Sequence, residues 1–212
     1  MIGRDIAAQY PRLDVLVNNA GTGARRRQTT VDGYERTFAI NHLAPFLLTN
    51  LLLERLKASK AARVVTVSSM AHRGATLDFD DLNFEKRKYS GLRAYGESKL
   101  ANILFTLELA TRLAGSTATA NCLHPGVVAT NIFAAFGGRT GKIFSVLLRP
   151  FMLSPAAGAK TSVYLASSPE VAKVTGKFFD KCREVPPAPA AQDAAAAKRL
   201  WEISAKLTGL SV

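Results

Sequence analysis

The stretch Asp14-Val15-Leu16-Val17-Asn18-Asn19-Ala20-Gly21 decides the fold. Its apolar, β-branched run opens straight into Asn-Asn-Ala-Gly, as a buried parallel strand does when it enters a turn. Two later runs have the same form. Residues 63–69 (RVVTVSS) are apolar and finish on hydroxyls, and residues 117–123 lead into His124-Pro125-Gly126. Helical patterns lie between them. Residues 30–59 carry Tyr34, Phe38, Asn41 and a cluster of leucines, while residues 95–114 carry an apolar stripe through Leu100, Ile103, Leu104, Leu107 and Ala110, with Gly115 as a stop. Residues 2–10 read as a helix ended by Pro11, residues 156–167 as a later helix and residues 176–180 as a short strand. Residues 70–92 are polar and irregular. The Pro- and Ala-rich residues 185–197 read as a loop before a last helix through Leu200 and Trp201. This alternation predicts an α/β fold, a parallel sheet with helices on both faces.

Composition bounds the function. A chain of 212 residues with 48% hydrophobic and 21% charged residues is globular and suits one domain. Cys122 and Cys182 form no CxxC pair, and His42, His72 and His124 are scattered, so neither a disulfide framework nor a metal site is expected. The net charge of +12 raises nucleic acid or an anionic membrane as partners. Only Arg25-Arg26-Arg27 is a tight run, and no aromatic residues interleave it, so nucleic acid is not expected. No signal peptide opens the chain, and the greasy residues 143–153 are interrupted by Arg149-Pro150 and too short to span a bilayer.

Ligands of such sheets sit outside the carboxyl ends of the strands. The residues that follow the strands are Asn18 to Gly21, Ser68-Ser69 and Pro125-Gly126, and they meet along one edge. Tyr95-Gly96-Glu97-Ser98-Lys99 opens the central helix beside them. On a helix Tyr95 and Lys99 share a face, so a phenol and an ammonium point into the same space. A phenol titrates near ~10. A cation about 5 Å away, at an effective dielectric of about 20, favours the phenolate by roughly 3 kcal/mol, or about two pKa units. The pair can then act as an acid/base catalyst. Ser69 can donate to a carbonyl or alkoxide oxygen beside it, and Gly21 admits a ligand close to the backbone. Taken alone, Y-x-x-x-K more often marks an exposed tyrosine and a snorkelling lysine, Gly21 a turn and Ser69 a strand end. Their convergence is what points to function.

In order and spacing these residues resemble the short-chain dehydrogenase/reductase family. Asn18-Asn19-Ala20-Gly21 is similar to its N-N-A-G segment, Asn41 to its active-site asparagine, Ser69 to its serine, Tyr95-x-x-x-Lys99 to its signature, and Pro125-Gly126 with Val128 and Thr130 to its nicotinamide-side loop. The texture of LDFDDLNFEKR, AYGESKLANILF and HPGVV is similar to the retinol-dehydrogenase-like branch. The resemblance implies hydride transfer between a nicotinamide cofactor and an apolar alcohol or carbonyl, retinol/retinal-like. It makes Asn41, Ser69, Tyr95 and Lys99 catalytic, and Asn18, Ala20, Gly21, Tyr95, Lys99, Pro125, Gly126, Val128 and Thr130 cofactor-binding. The implied cofactor is NADP(H) in preference to NAD(H). Tyr95 would exchange the oxygen-bound proton, Ser69 hold the substrate oxygen, Lys99 lower the phenol pKa and bind the ribose, and Asn41 anchor a water leading to Lys99. Pro45 has no amide to bond back to residue 41, which frees the Asn41 carbonyl for that water. Residues 141–153 would cover the site, Phe144, Leu147, Phe151 and Met152 suiting a retinoid, steroid or lipid aldehyde. Packing against their own core explains those four residues equally well.

One departure qualifies the resemblance. The family's first strand and its turn T-G-x-x-x-G-x-G, which cradles the cofactor pyrophosphate, are not among these residues. Residues 14–18 correspond to the family's fourth strand. The expectation is a single, N-terminally truncated domain over residues 1–212, a partial Rossmann-like sheet whose first strand here is an apolar edge, with impaired cofactor binding. The alternative is a catalytically inactive module that pairs with an intact subunit, because the family's dimers often join helices equivalent to residues 38–59 and 95–114. The family suggests the endoplasmic reticulum or a mitochondrial membrane. This chain, without the anchor common in that branch, is expected to be soluble or held peripherally through its basic surface, as a homo- or hetero-dimer.

Overall fold

A computed structural model describes residues 2–128 and 152–210. Strands β1 (Val15–Asn18), β2 (Arg63–Val67), β3 (Thr119–His124), β4 (Phe178–Asp180) and β5 (Arg183–Glu184) form one sheet in sequential order. The first four are parallel, in a register that pairs Asn18 with Thr66, Thr66 with Cys122 and Cys122 with Phe178. β5 returns antiparallel through a hairpin that sequence reading misses. Its two linking residues, Lys181 and Cys182, sit at φ 49° and 60°, the left-handed pair that a tight hairpin needs, although neither is the usual Gly or Asn. The fold is α/β with a mostly parallel sheet, as the sequence predicts.

The helices are α1 (Ile2–Gln9), α2 (Arg36–Phe38), α3 (Ala44–Leu51), α4 (Leu53–Lys57), α5 (Gly91–Arg112), α6 (Pro155–Ser167) and α7 (Ala194–Thr208), with a π turn at Ala39–Leu43. β2 shows why two faces close. Val64 joins Phe46, Leu56, Phe105, Leu109, Trp201 and Ala205 on the side of α3, α5 and α7. Its neighbours Val65 and Val67 point the other way and join Leu123, Phe179 and Leu165 of α6. Each fully buried side chain of this size contributes about 1.5–3 kcal/mol of transfer free energy. Among the described residues no helix is long and apolar enough to cross a membrane.

Boundaries differ from the sequence reading for local reasons. The helix expected from residue 30 begins at Arg36, because Gly33 turns the chain at φ +88° and the Glu35 carboxylate caps the amides of Thr37 and Phe38 at 2.9 and 2.7 Å. The helix expected from Tyr95 begins at Gly91, which places Tyr95 in its second turn. Part of the expected loop 185–197 is helical. Asp193 caps the Ala196 amide at 3.0 Å, and the run of alanines after it continues as α7.

Candidate active site

β1, β2 and β3 all deliver their carboxyl ends to one edge, and α5 crosses behind them. β2 ends at Val67, whose carbonyl accepts from Lys99 Nζ at 2.9 Å and from Asn102 Nδ2 at 3.2 Å. Ser68 Oγ returns a bond to the Lys99 carbonyl at 2.7 Å, so strand end and helix are stitched from both sides. Ser69 follows in extended conformation and caps a short turn, Met70–His72. That turn reaches α5 through Gly96, where a Cβ would lie 2.7 Å from the Ala71 carbonyl oxygen. The glycine inside the Tyr-Gly-Glu-Ser-Lys segment therefore sets the approach that lets Ser69 hydrogen-bond Tyr95.

Tyr95 and Lys99 do share a face, and the ammonium lies 5.6 Å from the centroid of the phenol ring. Their electrostatics correct the sequence estimate. Burial pushes the Tyr95 phenol above its ordinary value, and only the Ser69 hydrogen bond pulls it back. Lys99 loses its hydration in the same place, and burial lowers it to about 8, so it is mostly protonated at neutral pH. The cation lies against the ring and donates to Val67, and desolvation outweighs the through-space pull that a 5 Å spacing predicts.

Asn41 is fully buried and joins the turn after β1 to α5. Its Oδ1 accepts from the Thr22 amide at 2.7 Å, while Nδ2 lies 2.9 Å from both the Thr22 carbonyl and Ser98 Oγ. It sits in the π turn, where the Ala44 amide reaches back five residues to Ala39. The next residue, Pro45, offers the Asn41 carbonyl no α-helical donor.

Asn19, Ala20 and Gly21 are exposed. A Cβ on Gly21 would lie 3.4 Å from Lys99 Nζ and 3.6 Å from Asn41 Oδ1, so the bare backbone leaves room for a ligand over the ammonium. Asn18 is placed differently, because its side chain is buried and donates to Thr49 Oγ1 at 3.1 Å, bracing β1 to α3. Gly126 follows β3 at φ +84°, and Val128 pairs with Leu153 in an isolated parallel bridge and packs against Gly158. Thr130 and the expected cover, including Phe144, Leu147 and Phe151, lie outside the described residues. Of that cover, Met152 is half-buried and the Leu153 amide donates to Val127 at 2.8 Å. These placements fit the ribose and nicotinamide end of a dinucleotide, whereas a glycine-rich phosphate cradle does not occur in the sequence.

Sequence reasoning passed over the staple that seats the front of α5. Arg87 forks onto Glu97 at 2.9 and 3.1 Å and onto Asp81 Oδ2 at 3.1 Å, with its guanidinium 4.2 Å above the Phe84 ring. The acidic stretch LDFDDLNFEKR was the available signal. A cavity of about 510 Å³ lies between α5, β4 and the stretch after β5, lined by Ile103, Cys122, Phe178 and Pro187. None of the expected site residues borders it.

A parallel sheet with a serine, a tyrosine and a buried lysine at its carboxyl edge defines a class. The family model for short chain dehydrogenases matches residues 2–139, and the chain belongs to that family of oxidoreductases. Retinol dehydrogenase 13 of Homo sapiens is 47% identical over 209 residues, covering 97% of this chain and 63% of its own length. The chain therefore spans less than two thirds of that relative. The crystal structure of an uncharacterised protein from Mycobacterium paratuberculosis is 38% identical with a TM-score of 0.78, covering 99% of this chain and 72% of its own. A candidate NAD(P)-dependent gluconate 5-dehydrogenase from Beutenbergia cavernae, with NADP bound at low occupancy, is 26% identical with a TM-score of 0.61, covering 84% and 68%.

Proposed function

We propose that the chain carries the nicotinamide side of an NADP(H)-dependent oxidoreductase that interconverts an apolar alcohol, of the retinol kind, with its aldehyde or ketone. One observation carries this reading: the Ser69 hydroxyl, the Tyr95 phenol and the buried Lys99 ammonium come together at one end of the sheet beside Gly21. The nicotinamide, when bound, supplies or takes up the hydride. Asn19 to Gly21, Lys99 and the turn at Pro125-Gly126 would hold it. Tyr95 gives a proton from its hydroxyl to the substrate oxygen in reduction and takes one back in oxidation. Burial raises the phenol above its ordinary value, so the resting Tyr95 keeps a proton to give at neutral pH. Ser69 donates to the same oxygen, and Lys99 places its charge beneath the phenol and toward the ribose. The Asn41 carbonyl, without a donor from Pro45, holds a water leading to Lys99.

The preference for NADP(H) draws support from the Beutenbergia neighbour, and the apolar substrate from the human relative. Residues 1–212 act as one domain in this reading. The test is NADPH consumption with an apolar aldehyde such as retinal at saturating cofactor. Turnover that falls at least ~100-fold in Tyr95→Phe supports the reading. Equal rates in the two folded proteins, or no turnover in either, overturn it.

A second reading has its own observation. Among the described residues β1 pairs with β2 alone, and an unpaired strand row is a place for another chain to add. Co-purification with an intact subunit, without turnover by this chain, would favour an interaction module.

A further inference from the structure

We propose that His72 and His124 form a clamp on the Ser69–Met70 peptide group and so position the Ser69 hydroxyl, a role that rests on reading Ser69 as the donor to the substrate oxygen. The peptide is held at both ends. Its carbonyl oxygen, on Ser69, lies 2.6 Å from His72 Nδ1 and also accepts the His72 amide at 3.1 Å. Its N–H, on Met70, donates to His124 Nδ1 at 3.3 Å. The rings reach the peptide from different elements, His72 from the turn after β2 and His124 from the last position of β3.

Hydrogen-bond polarity fixes where each ring carries its proton. The Ala188 amide can only donate, and it lies 3.1 Å from His72 Nε2. That nitrogen is therefore bare, and the proton sits on Nδ1, which donates to the Ser69 carbonyl. The Met70 amide can also only donate, so His124 Nδ1 is bare and its ring proton sits on Nε2. The two imidazoles are opposite tautomers of the neutral form. His72 is fully buried, with its ring set edge-on to Phe178 at 5.0 Å. The neighbouring Arg73 guanidinium anchors the same turn to the Pro186 carbonyl at 3.1 Å.

Protonating either ring sets N–H against N–H, at Ala188 for His72 and at Met70 for His124. The charged groups facing the pair are Arg73 beside His72, Asp180 and Lys181 beside His124, and each imidazole toward the other. Burial lowers both histidines first, which keeps the neutral forms in place at neutral pH. Ser69 has little freedom once its peptide is fixed. Its Oγ already lies 3.2 Å from the Ala71 amide and bonds the Tyr95 phenol. Releasing the peptide lets the hydroxyl swing from the phenol.

The experiment uses the full chain and needs neither cofactor nor substrate. Long-range proton–nitrogen correlation spectra at neutral pH are expected to show His72 protonated on Nδ1 and His124 on Nε2. The reverse tautomer, or a charged ring, at either position overturns the clamp. The Tyr95 titration midpoint, followed through a carbon-labelled ring, then reads the position of Ser69. In His72→Phe it is expected to rise by about half to one unit, the equivalent of one hydrogen bond. In His72→Asn, whose amide still donates to the Ser69 carbonyl, it is expected to stay near the wild-type value. An unmoved midpoint in folded His72→Phe overturns the positioning role. Should His72→Phe fail to fold, His124→Leu against His124→Gln makes the same contrast from the other end of the peptide. Absence of turnover would strike the proposed activity and leave this result standing, whereas wrong tautomers in an active protein would remove the clamp alone.

Discussion

β1 and β2 are neighbours in one sheet and both read as short apolar runs, yet their surroundings differ. Val64, Val65 and Val67 of β2 are buried, while Val15 and Val17 of β1 are 39% and 41% exposed. On β2 the alternate side chains meet α5 and α7 on one face and α6 on the other. Among the described residues, Leu16 alone of β1 joins a core cluster, and the valines on the opposite face stay part-exposed. The groups proposed to handle the proton belong to the turn after β2 and to α5, next to the elements closed by this chain's own helices. The turn after β1 brings Gly21 to the same edge from a strand whose valines stay part-exposed.

Large-to-small substitutions should expose that difference most strongly. Leu123→Ala, in the closed region, is expected to cost about 2–5 kcal/mol in denaturant unfolding. Val17→Ala, on the open strand, should cost less than about 1 kcal/mol. Equal losses would mean that β1 is as well packed as its neighbours, and the comparison would fail.

Acid sharpens the same contrast, because the buried aromatic core contains a histidine. His42 stacks on Phe38 at 5.1 Å and meets Ser204 Oγ at 2.8 Å, and burial lowers it from 6.5 to about 3. A histidine depressed in the fold stabilises it above its ordinary value, and that contribution is lost as pH falls from 6.5 toward 3. On the order of 3 kcal/mol should be gone at pH 4. Unfolding free energies at pH 7 and pH 4 would show it, and His42→Phe should flatten the dependence. A flat profile in the wild-type chain would place water or a hydrogen-bond acceptor beside His42.

The smallest expected effect lies on β1. Val17→Lys should change stability by no more than about 0.5 kcal/mol and reduce concentration-dependent self-association, measured by sedimentation. Unchanged association would locate any sticky surface elsewhere.

Local patterns were legible in the sequence. The β-branched runs ending in Asn-Asn-Ala-Gly and Ser-Ser gave two parallel strands, and the spacing of Tyr95 and Lys99 put both on one helical face. What stayed hidden depends on residues far apart in the chain. His72 and His124 look scattered as letters, yet both close on one peptide, and His72 is completed by Ala188, more than a hundred positions away. Glu35 reads as a helix-interior residue until its carboxylate caps α2. The shift of the Tyr95 phenol was misread because spacing reports a neighbouring charge and says nothing of burial, which is the larger effect here.

In the proposed reading Lys99, Gly21 and Tyr95 together seat the nicotinamide end of a cofactor. A fluorescence titration of the chain with NADPH, and separately with NADH, tests it most directly when repeated on Lys99→Ala. Saturable binding of NADPH that falls at least ~10-fold in the variant is expected, the loss of a charge-assisted hydrogen bond. Binding indifferent to the substitution, or none up to millimolar cofactor in the folded protein, would contradict it.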